Sequence, residues 1–231
     1  MTAIFSVAVL TAPPPGLGAE SGGAMTKLDG REVLLRSVEL FLNRENIKQI
    51  QLVVADDAAE EVKRKFGGNL GFMGVKLVTA GKKWSDQIAA AAAKLIPEAT
   101  HLVLHDASRP LVPYSDLDAI LSEAEKHPAV VLASPVRSTL IEADQGNNPV
   151  AQHGPAGFFH LLSPMTVNRQ RLTELSGGRE IHPSEWTIIR ASHLNIRLSG
   201  AGDASLAKAM LNLMPKPKLK ALSNPFEEAQ W

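Results

Sequence analysis

The sequence predicts a single α/β domain in which helices flank a mostly parallel β-sheet. Short apolar runs rich in β-branched residues alternate with longer segments of helical period, which is the pattern of strands joined by crossover helices. The chain has 231 residues, of which 45% are hydrophobic, and α/β folds of up to about 250 residues form one domain. These observations favour three layers, with helices on both faces of a Rossmann-like sheet, over residues 1–214.

The first part of the chain alternates regularly between strands and helices. Residues 4–10 are an apolar run and predict the first strand, while residues 33–42 carry apolar side chains at the i, i+3, i+4 and i+7 spacing of a helix. The further predicted strands are 49–55, 75–79, 101–104 and 129–133, and the further predicted helices are 58–66, 85–95 and 114–125.

The pattern is less regular after residue 133. Residues 137–160 contain several Gly, Asn and Pro residues and predict an arm or an insertion. Beyond them we expect a turn or short helix near 165–175, a strand at 194–198 and a helix at 204–214. The tail at 215–231 carries Pro and Lys and is expected to be extended or partly disordered.

Composition excludes several classes of protein. The 24 Lys and Arg residues balance 24 Asp and Glu residues, so the basic excess that collects nucleic acid or anionic lipid is missing. The absence of Cys rules out disulfides, thiolate zinc sites and cysteine nucleophiles. No apolar stretch approaches the roughly 20 residues of a membrane span. We therefore expect a cytoplasmic protein without nucleic-acid or membrane partners.

A glycine-containing loop at residues 11–23 follows the first predicted strand. Glycines allow backbone N–H groups to approach a phosphate, and ligands bind beyond the carboxyl ends of strands in open α/β sheets. The loop is not a P-loop, and Ser21 stands where the dinucleotide motif needs its third glycine. Three prolines also remove three donors, so a plain surface loop is the alternative interpretation.

The second candidate site is the segment His-Asp-Ala-Ser-Arg-Pro at residues 105–110, directly after an apolar strand. A carboxylate at this position is well placed to hold Mg²⁺, and Arg109 is placed to fix Asp106 or to bind phosphate. The alternative is an Asp–Arg pair that only stabilises the turn after the strand. The seven histidines fit no zinc spacing, and no G-x-S-x-G motif of a serine hydrolase occurs.

Several segments, in this order along the chain, resemble the motifs of the 2-C-methyl-D-erythritol 4-phosphate cytidylyltransferase family. They are the glycine loop, LDGREVL at 28–34, HDASRP at 105–110, SPVRST at 134–139 and NIRLS at 195–199, followed by Asp203. The resemblance covers nearly the whole chain. It implies the nucleotide-diphospho-sugar transferase-like α/β fold and a homodimer formed through the arm at 137–160.

The resemblance also implies an activity and the residues that serve it. The expected reaction transfers CMP from CTP to 2-C-methyl-D-erythritol 4-phosphate, a sugar-alcohol phosphate of non-mevalonate isoprenoid biosynthesis, with Mg²⁺ bridging the triphosphate. The residues that the resemblance places at the site are Lys27 and Asp106 as catalytic groups, Ala12, Pro13, Gly16, Gly18, Gly81 and Arg109 at the nucleotide, Arg137, Thr139 and Arg197 at the substrate, and Asp106 with Asp203 at the metal.

Two cations of the family pattern are not matched. The family's loop runs G-x-G-x-R and is followed by a Lys, and these cations stabilise the charge on the transferring phosphate. Here the Arg position falls on Ala19 or Glu20, and the Lys position falls near Gly23. Loss of one such group typically costs about 10²- to 10³-fold in rate. Lys27 is the nearby cation that would substitute.

Other positions change as well. The family's G-x-E-R-x-x-S segment corresponds to residues 81–87, where Trp84 replaces the Arg and Gln87 takes the Ser position unless Ser85 serves. Trp84 either fills the pocket or stacks on a different base. An Arg of the family's D-R-x-G segment falls on Pro155, and its T-D-E-A-S segment has become HPSEW at 182–186.

These departures leave two further interpretations open. One is a catalytically impaired relative that keeps the scaffold for ligand sensing or partner binding. The other is a nucleotidyltransferase with another nucleotide or acceptor, in which Lys27, Lys82 and Lys83 supply the missing charge by another geometry. The resemblance itself favours the CTP-dependent transferase.

Overall fold

The computed structural model describes residues 3–15, 17, 23–176 and 181–214. The strands are β1 (Phe5–Leu10), β2 (Lys27–Leu28), β3 (Arg31–Glu32), β4 (Ile47–Ala55), β5 (Lys76–Ala80), β6 (His101–Asp106), β7 (Ala129–Pro135), β8 (Leu140–Ala143), β9 (Pro149–His153), β10 (Phe159–Asn168) and β11 (Thr187–Arg190). The helices are α1 (Val33–Glu39), α2 (Ala59–Phe72), α3 (Trp84–Ala93), α4 (Tyr114–Ala124), α5 (Arg169–Ser176) and α6 (Ala201–Leu211), with short 3-10 helices at Asp56–Ala58 and Pro183–Glu185.

Seven strands form one sheet in the order β11-β7-β10-β6-β1-β4-β5. All neighbouring pairs are parallel except those of β10, which runs antiparallel to both β6 and β7. The prediction of a mostly parallel sheet is therefore confirmed. The carboxyl ends of β1, β4, β5 and β6 meet at one edge, and this edge carries the candidate site.

Helices cover both faces of the sheet, because alternate side chains of the strands belong to different cores. Phe5, Val7 and Val9 of β1 pack with α1, α2 and α4, whereas Ala8 and Leu10 pack with α3 and α5. A strand that is buried on both faces reads as a continuous apolar run. This packing explains why the sequence identifies the central strands and confirms the three-layer fold class.

Three sequence-based predictions of secondary structure are wrong. The segment near 165–175 is not simply a turn or helix, because β10 continues to Asn168 before α5 begins. Residues 194–198 do not form a strand; β11 lies earlier, at Thr187–Arg190. Helix α2 extends six residues beyond the predicted end at 66, through Gly67, Gly68 and Gly71 to Phe72. Glycines disfavour helix interiors by only about 1 kcal/mol, and tertiary packing overrides that cost.

The predicted arm at 137–160 contains a two-stranded antiparallel hairpin of β8 and β9. Several large apolar side chains on and beside this hairpin are exposed: Ile141, Val150, Phe158, Phe159 and Leu161. No helix of the described residues is long and apolar enough to cross a membrane. The tail at 215–231 lies outside the described residues.

Candidate active site

The predicted site residues converge on the carboxyl edge of the sheet. Asp106 is the last residue of β6 and lies in register with Leu10, the last residue of β1. The Ala107 N–H donates to the Leu10 carbonyl at 2.9 Å. The segment after β1, which carries Ala12, therefore begins directly beside the segment after β6. This is the edge at which open α/β sheets bind ligands.

Asp106, Arg109 and Arg197 form a buried charged group, here called the Asp106 cluster. Asp106 is 1% exposed; its Oδ2 accepts from Arg197 Nε at 2.9 Å, and its Oδ1 accepts from the Ser108 N–H at 2.9 Å. Arg109 Nε lies 3.8 Å from the same Oδ2. One carboxylate thus faces two guanidinium groups, and the cluster has an excess of one positive charge.

A neutral histidine, His105, is hydrogen-bonded to the turn that carries the cluster. Ser163 Oγ accepts from the Asp106 N–H at 3.0 Å and lies 3.2 Å from His105 Nδ1, while His105 Nε2 lies 3.1 Å from the Arg109 carbonyl oxygen. The Nε2–H tautomer satisfies these contacts, since Ser163 then donates to Nδ1. Complete burial lowers the pKa of His105 to about 3, so the ring holds this turn without adding charge.

The segment that carries Arg197 is tied to the same turn. Arg109 Nη1 donates to the Asn195 carbonyl at 2.9 Å, Asn195 Nδ2 donates to the Ser163 carbonyl at 2.8 Å, and the Leu198 N–H donates to the Ser108 carbonyl at 2.9 Å. Burial lowers the pKa of Arg109, although Asp106 opposes the shift. Within the described residues, no hydrogen bond uses the two terminal nitrogens of Arg197.

Gly23 fixes the end of the glycine loop against this segment. A Cβ atom at Gly23 would collide with the carbonyl oxygen of Leu198 and would lie 3.1 Å from Ser108 Oγ. A lysine at Gly23, near which the resemblance puts the family's Lys, does not fit the backbone as folded here. Gly16 and Gly18, which the resemblance assigns to the nucleotide, lie outside the described residues, as do Ala19 and Glu20.

The opposite side of the site contains neutral groups. The Ala12 N–H donates to Gln87 Oε1 at 3.0 Å, and Gln87 Nε2 donates to Thr11 Oγ1 at 3.3 Å. Trp84 is buried and packs in the same core as Ala12, so its ring fills space rather than facing a ligand. A Cβ at Gly81 would contact the carboxylate of Asp86, so that exposed side chain would have to move to admit one.

Three predicted residues lie apart from the Asp106 cluster. Lys27 is exposed, and its Nζ lies 3.9 Å from Glu32 Oε1. Arg137 and Thr139 are exposed at the start of the arm. No hydrogen bond or ion pair connects these three side chains to the cluster within the described residues. Lys82, an alternative cation, pairs with Asp57 at 2.6 Å.

The carboxylates predicted to hold Mg²⁺ do not form a preformed metal site. Both oxygens of Asp106 accept hydrogen bonds inside the cluster, and Asp203 Oδ2 accepts from the Ser199 N–H at 2.7 Å. Asp203 lies in the first turn of α6, whose N-cap is Gly200. The described residues contain no group of three Asp, Glu or His side chains that would hold a metal. We therefore assign no step to an ion held by these residues.

Sequence reasoning missed the contribution of Ser163, whose hydroxyl joins Asp106 to His105. It lies 57 residues from Asp106 along the chain, on the antiparallel strand that the sequence did not predict. No local pattern marks it. Gln87, in contrast, stands out in the sequence as a departure from the family's Ser, but no sequence pattern indicates its contact with Ala12.

Comparisons with known proteins agree with this geometry. A family model described as 2-C-methyl-D-erythritol 4-phosphate cytidylyltransferase matches residues 8–179. Enzymes of that name from Rhodopirellula baltica and Haemophilus ducreyi are each 26% identical to the chain, covering 92% and 86% of it and 97% and 93% of their own lengths. A solved structure from Anaerococcus prevotii, titled 4-diphosphocytidyl-2C-methyl-D-erythritol synthase, superposes with a TM-score of 0.72 at 15% identity and covers 92% of this chain and 100% of its own.

Proposed function

The chain belongs to the 2-C-methyl-D-erythritol 4-phosphate cytidylyltransferase family, and we propose that it transfers CMP from CTP to 2-C-methyl-D-erythritol 4-phosphate in isoprenoid biosynthesis. An oxygen of the acceptor phosphate attacks the α-phosphorus of CTP. The bond from that phosphorus to the oxygen bridging the β-phosphorus breaks, and pyrophosphate leaves. Such a reaction depends on positioning and on stabilisation of negative charge.

The observation that carries this proposal is the geometry of Arg197. Its Nε is held by Asp106 at 2.9 Å, and this contact leaves the two terminal nitrogens side by side for an anion. A guanidinium group binds phosphate in a bidentate manner, which a lysine ammonium does not. The excess positive charge of the Asp106 cluster suits an acceptor that carries a phosphate.

Lys27 is the cation that we propose for the triphosphate side. Its ammonium group is exposed and lies 3.9 Å from one carboxylate oxygen, so it is free to turn toward a more strongly charged ligand. Mg²⁺ enters the proposal only as an ion that arrives with the triphosphate of CTP. Lys27→Ala should lower the rate of pyrophosphate release, and an unchanged rate would remove Lys27 from the site.

The comparisons do not favour the non-catalytic alternative. The matched relatives are named as cytidylyltransferases, and the match covers most of their lengths. We further propose a cytoplasmic homodimer. The several large apolar side chains exposed on and beside the hairpin of the arm support a dimer, since a cluster of such side chains on a surface is typical of interaction sites. Sedimentation should then give twice the mass of one chain.

The test is calorimetric titration with CTP, UTP, ATP and GTP in the presence of Mg²⁺, followed by a pyrophosphate-release assay with 2-C-methyl-D-erythritol 4-phosphate. We expect CTP to bind at micromolar concentration and pyrophosphate to be released only when the acceptor is present. Failure of every nucleotide to bind at millimolar concentration would contradict the proposal.

The variant Arg197→Ala tests the proposed role of Arg197 in binding the acceptor. Because the terminal nitrogens of Arg197 are assigned to the acceptor phosphate, we expect kcat/KM for the acceptor to fall by about 10²-fold or more while CTP affinity is retained. Arg64→Ala is the control, since Arg64 is an exposed arginine on α2. Equal effects of the two substitutions would remove Arg197 from the site.

A further inference from the structure

The hairpin of β2 and β3 carries Lys27 and lies outside the seven-stranded sheet. Leu28 pairs with Arg31 across the turn Asp29–Gly30, whose φ angles of 52° and 78° suit a two-residue hairpin turn. Leu28 is 1% exposed, and because successive side chains of a strand point to opposite faces, its burial turns Lys27 outward. A two-stranded hairpin is at best marginally stable alone. Its position therefore depends on contacts with its surroundings.

Arg36 of α1 supplies such a contact through its half-buried side chain. Its Nε donates to the Leu28 carbonyl at 3.0 Å, and its Nη2 donates to the Asp29 carbonyl at 3.5 Å. Leu28 also packs in one small core with Leu198, in the segment beside the Asp106 cluster. The guanidinium group thus ties the hairpin to α1, and the Leu28 side chain ties it to the site.

We propose that Arg36 is a positioning residue for Lys27: by holding the Leu28 carbonyl, it fixes the strand that presents the Lys27 ammonium group to a ligand. This inference rests on the proposed function, which assigns Lys27 to the triphosphate of CTP. A lysine ammonium lies at the end of a flexible four-carbon stem, so a mobile hairpin would spread it over many positions. Stabilisation of developing charge depends on groups that are held in place beforehand.

Arg36→Met tests this role, because methionine keeps an unbranched apolar stem and removes every donor. We expect kcat for pyrophosphate release to fall about 5- to 20-fold. KM for the acceptor should change little, because the variant leaves Arg197 in place. Arg36→Lys returns one donor and should show a smaller loss. It also provides the test if the methionine variant does not fold.

A double-mutant cycle with Lys27→Ala separates positioning from a general loss of structure. If Arg36 acts through Lys27, then Arg36→Met should change kcat by less than about twofold when residue 27 is already alanine. A substitution that only loosens the fold would lower kcat by the same factor in both backgrounds. That result, in either variant of Arg36, would overturn the inference.

Arg169→Met is the matched control, because Arg169 also holds backbone carbonyls but lies at the other edge of the sheet. Its Nε donates to the Ala99 carbonyl at 3.0 Å, and its Nη2 donates to the Ile96 carbonyl at 2.8 Å. Its N–H donates to the Thr100 carbonyl, just before β6 begins. At a temperature at which both variants are folded, this control should keep kcat within about twofold of the wild-type value. A fall equal to that of Arg36→Met would contradict a specific role of Arg36.

Amide hydrogen exchange tests the contact without a substrate. The amides of the hairpin, residues 27–32, should exchange faster in Arg36→Met than in the wild-type protein, and unchanged exchange would overturn the anchoring of the hairpin. If Lys27→Ala leaves the rate of the wild-type protein unchanged, the inference fails while the transferase activity stands. If the wild-type protein releases no pyrophosphate, the proposed function fails and the positioning role fails with it.

Discussion

The two sides of the candidate site are built from different chemistry although they lie on adjacent strands. The Asp106 cluster on β6 buries one carboxylate against two guanidinium groups. The segment after β1 uses neutral groups, namely the Ala12 amide and the Gln87 side chain. Burial of charge depends on an exact partner, whereas neutral hydrogen bonds depend on it less. The difference implies that substitutions on the two sides have separable effects on stability.

The largest expected effect is on stability, and it separates the two sides directly. Asp106→Ala leaves the guanidinium groups of Arg109 and Arg197 without their buried partner, and breaking a buried pair in this way costs about 3–5 kcal/mol. Gln87→Leu removes neutral hydrogen bonds and should cost about 1–3 kcal/mol. Urea unfolding of both variants measures the two free energies. Equal losses would show that the charged side does not contribute more to the free energy of unfolding than the neutral side.

A surface pair provides the control for the charged side. Asp118 Oδ1 lies 2.5 Å from Arg44 Nη1, but its side chain is 67% exposed. Asp118→Ala removes the same type of group, a carboxylate, from a position that is exposed to solvent. It should lower the free energy of unfolding by less than about 1 kcal/mol. A loss as large as that of Asp106→Ala would mean that burial is not the cause.

The second prediction uses pH to distinguish the sides, because only the Asp106 side contains a fully buried histidine. The pKa of His105 is about 3 in the folded protein, against about 6.5 in an unfolded chain. The unfolded state therefore binds a proton that the folded state does not as pH falls below about 6.5. The free energy of unfolding should decrease by up to about 1.4 kcal/mol per pH unit from this group between pH 6.5 and 3.

His105→Gln should flatten this dependence, since glutamine retains a donor and an acceptor but does not titrate. Denaturant unfolding at several pH values between about 4.5 and 7 measures this dependence on pH, because the range includes the pKa of about 6.5 that histidine has in an unfolded chain. The Gln87→Leu protein should keep the slope of the wild-type protein. A His105→Gln protein with an unchanged slope would contradict the assignment.

Sequence patterns identify those parts of the fold that local chemistry determines. The central parallel strands are continuous apolar runs because both of their faces are buried. Strand β10 escapes prediction because it follows the arm, contains Pro164 and pairs antiparallel with β6 and β7. Residues 194–198 alternate apolar and polar side chains for another reason. Ile196 and Leu198 pack near α6 and the hairpin of β2 and β3, whereas Asn195 and Arg197 bond to Ser163 and Asp106.

The same distinction holds within the site. Asp106 and Arg109 are three residues apart, so one motif predicts both. The contact between Ala12 and Gln87 joins residues 75 positions apart, and it depends on the packing of α3 against the sheet. A sequence marks the residue types at such positions but not their partners. The steric conflict at Gly23 is likewise visible only from the position of the Leu198 carbonyl.

The third prediction concerns Gly23, where the glycine loop contacts the segment that carries Arg197. Gly23→Ala places a Cβ against the backbone of Leu198, and overpacking of this kind costs about 1–3 kcal/mol. Thermal unfolding measures the loss. Gly68→Ala is the control, because a Cβ at this helical glycine meets nothing within 4 Å and should stabilise α2 by about 0.5–1 kcal/mol. Changes of the same sign in both variants would contradict the close approach.

The smallest expected effect is that of Thr11→Val, which removes one hydrogen-bond partner of Gln87 and keeps the other, the Ala12 N–H. Thr11 Oγ1 donates to the Val53 carbonyl at 3.1 Å and accepts from Gln87 Nε2 at 3.3 Å. Thr11 is partly exposed, so water replaces part of the lost hydrogen bonding. We expect the free energy of unfolding to fall by about 0.5–1.5 kcal/mol. Because the bond from the Ala12 N–H to Gln87 remains, the loss should be smaller than that of Gln87→Leu.

Thr79→Val is the matched control, since Thr79 is an exposed threonine on the edge strand β5 and should leave stability within about 0.5 kcal/mol. Urea unfolding of both variants measures the two free energies. A loss with Thr11→Val as large as that of Gln87→Leu would mean that the hydrogen bonds of Gln87 depend on one another, and the neutral side of the site would then be as interdependent as the charged one.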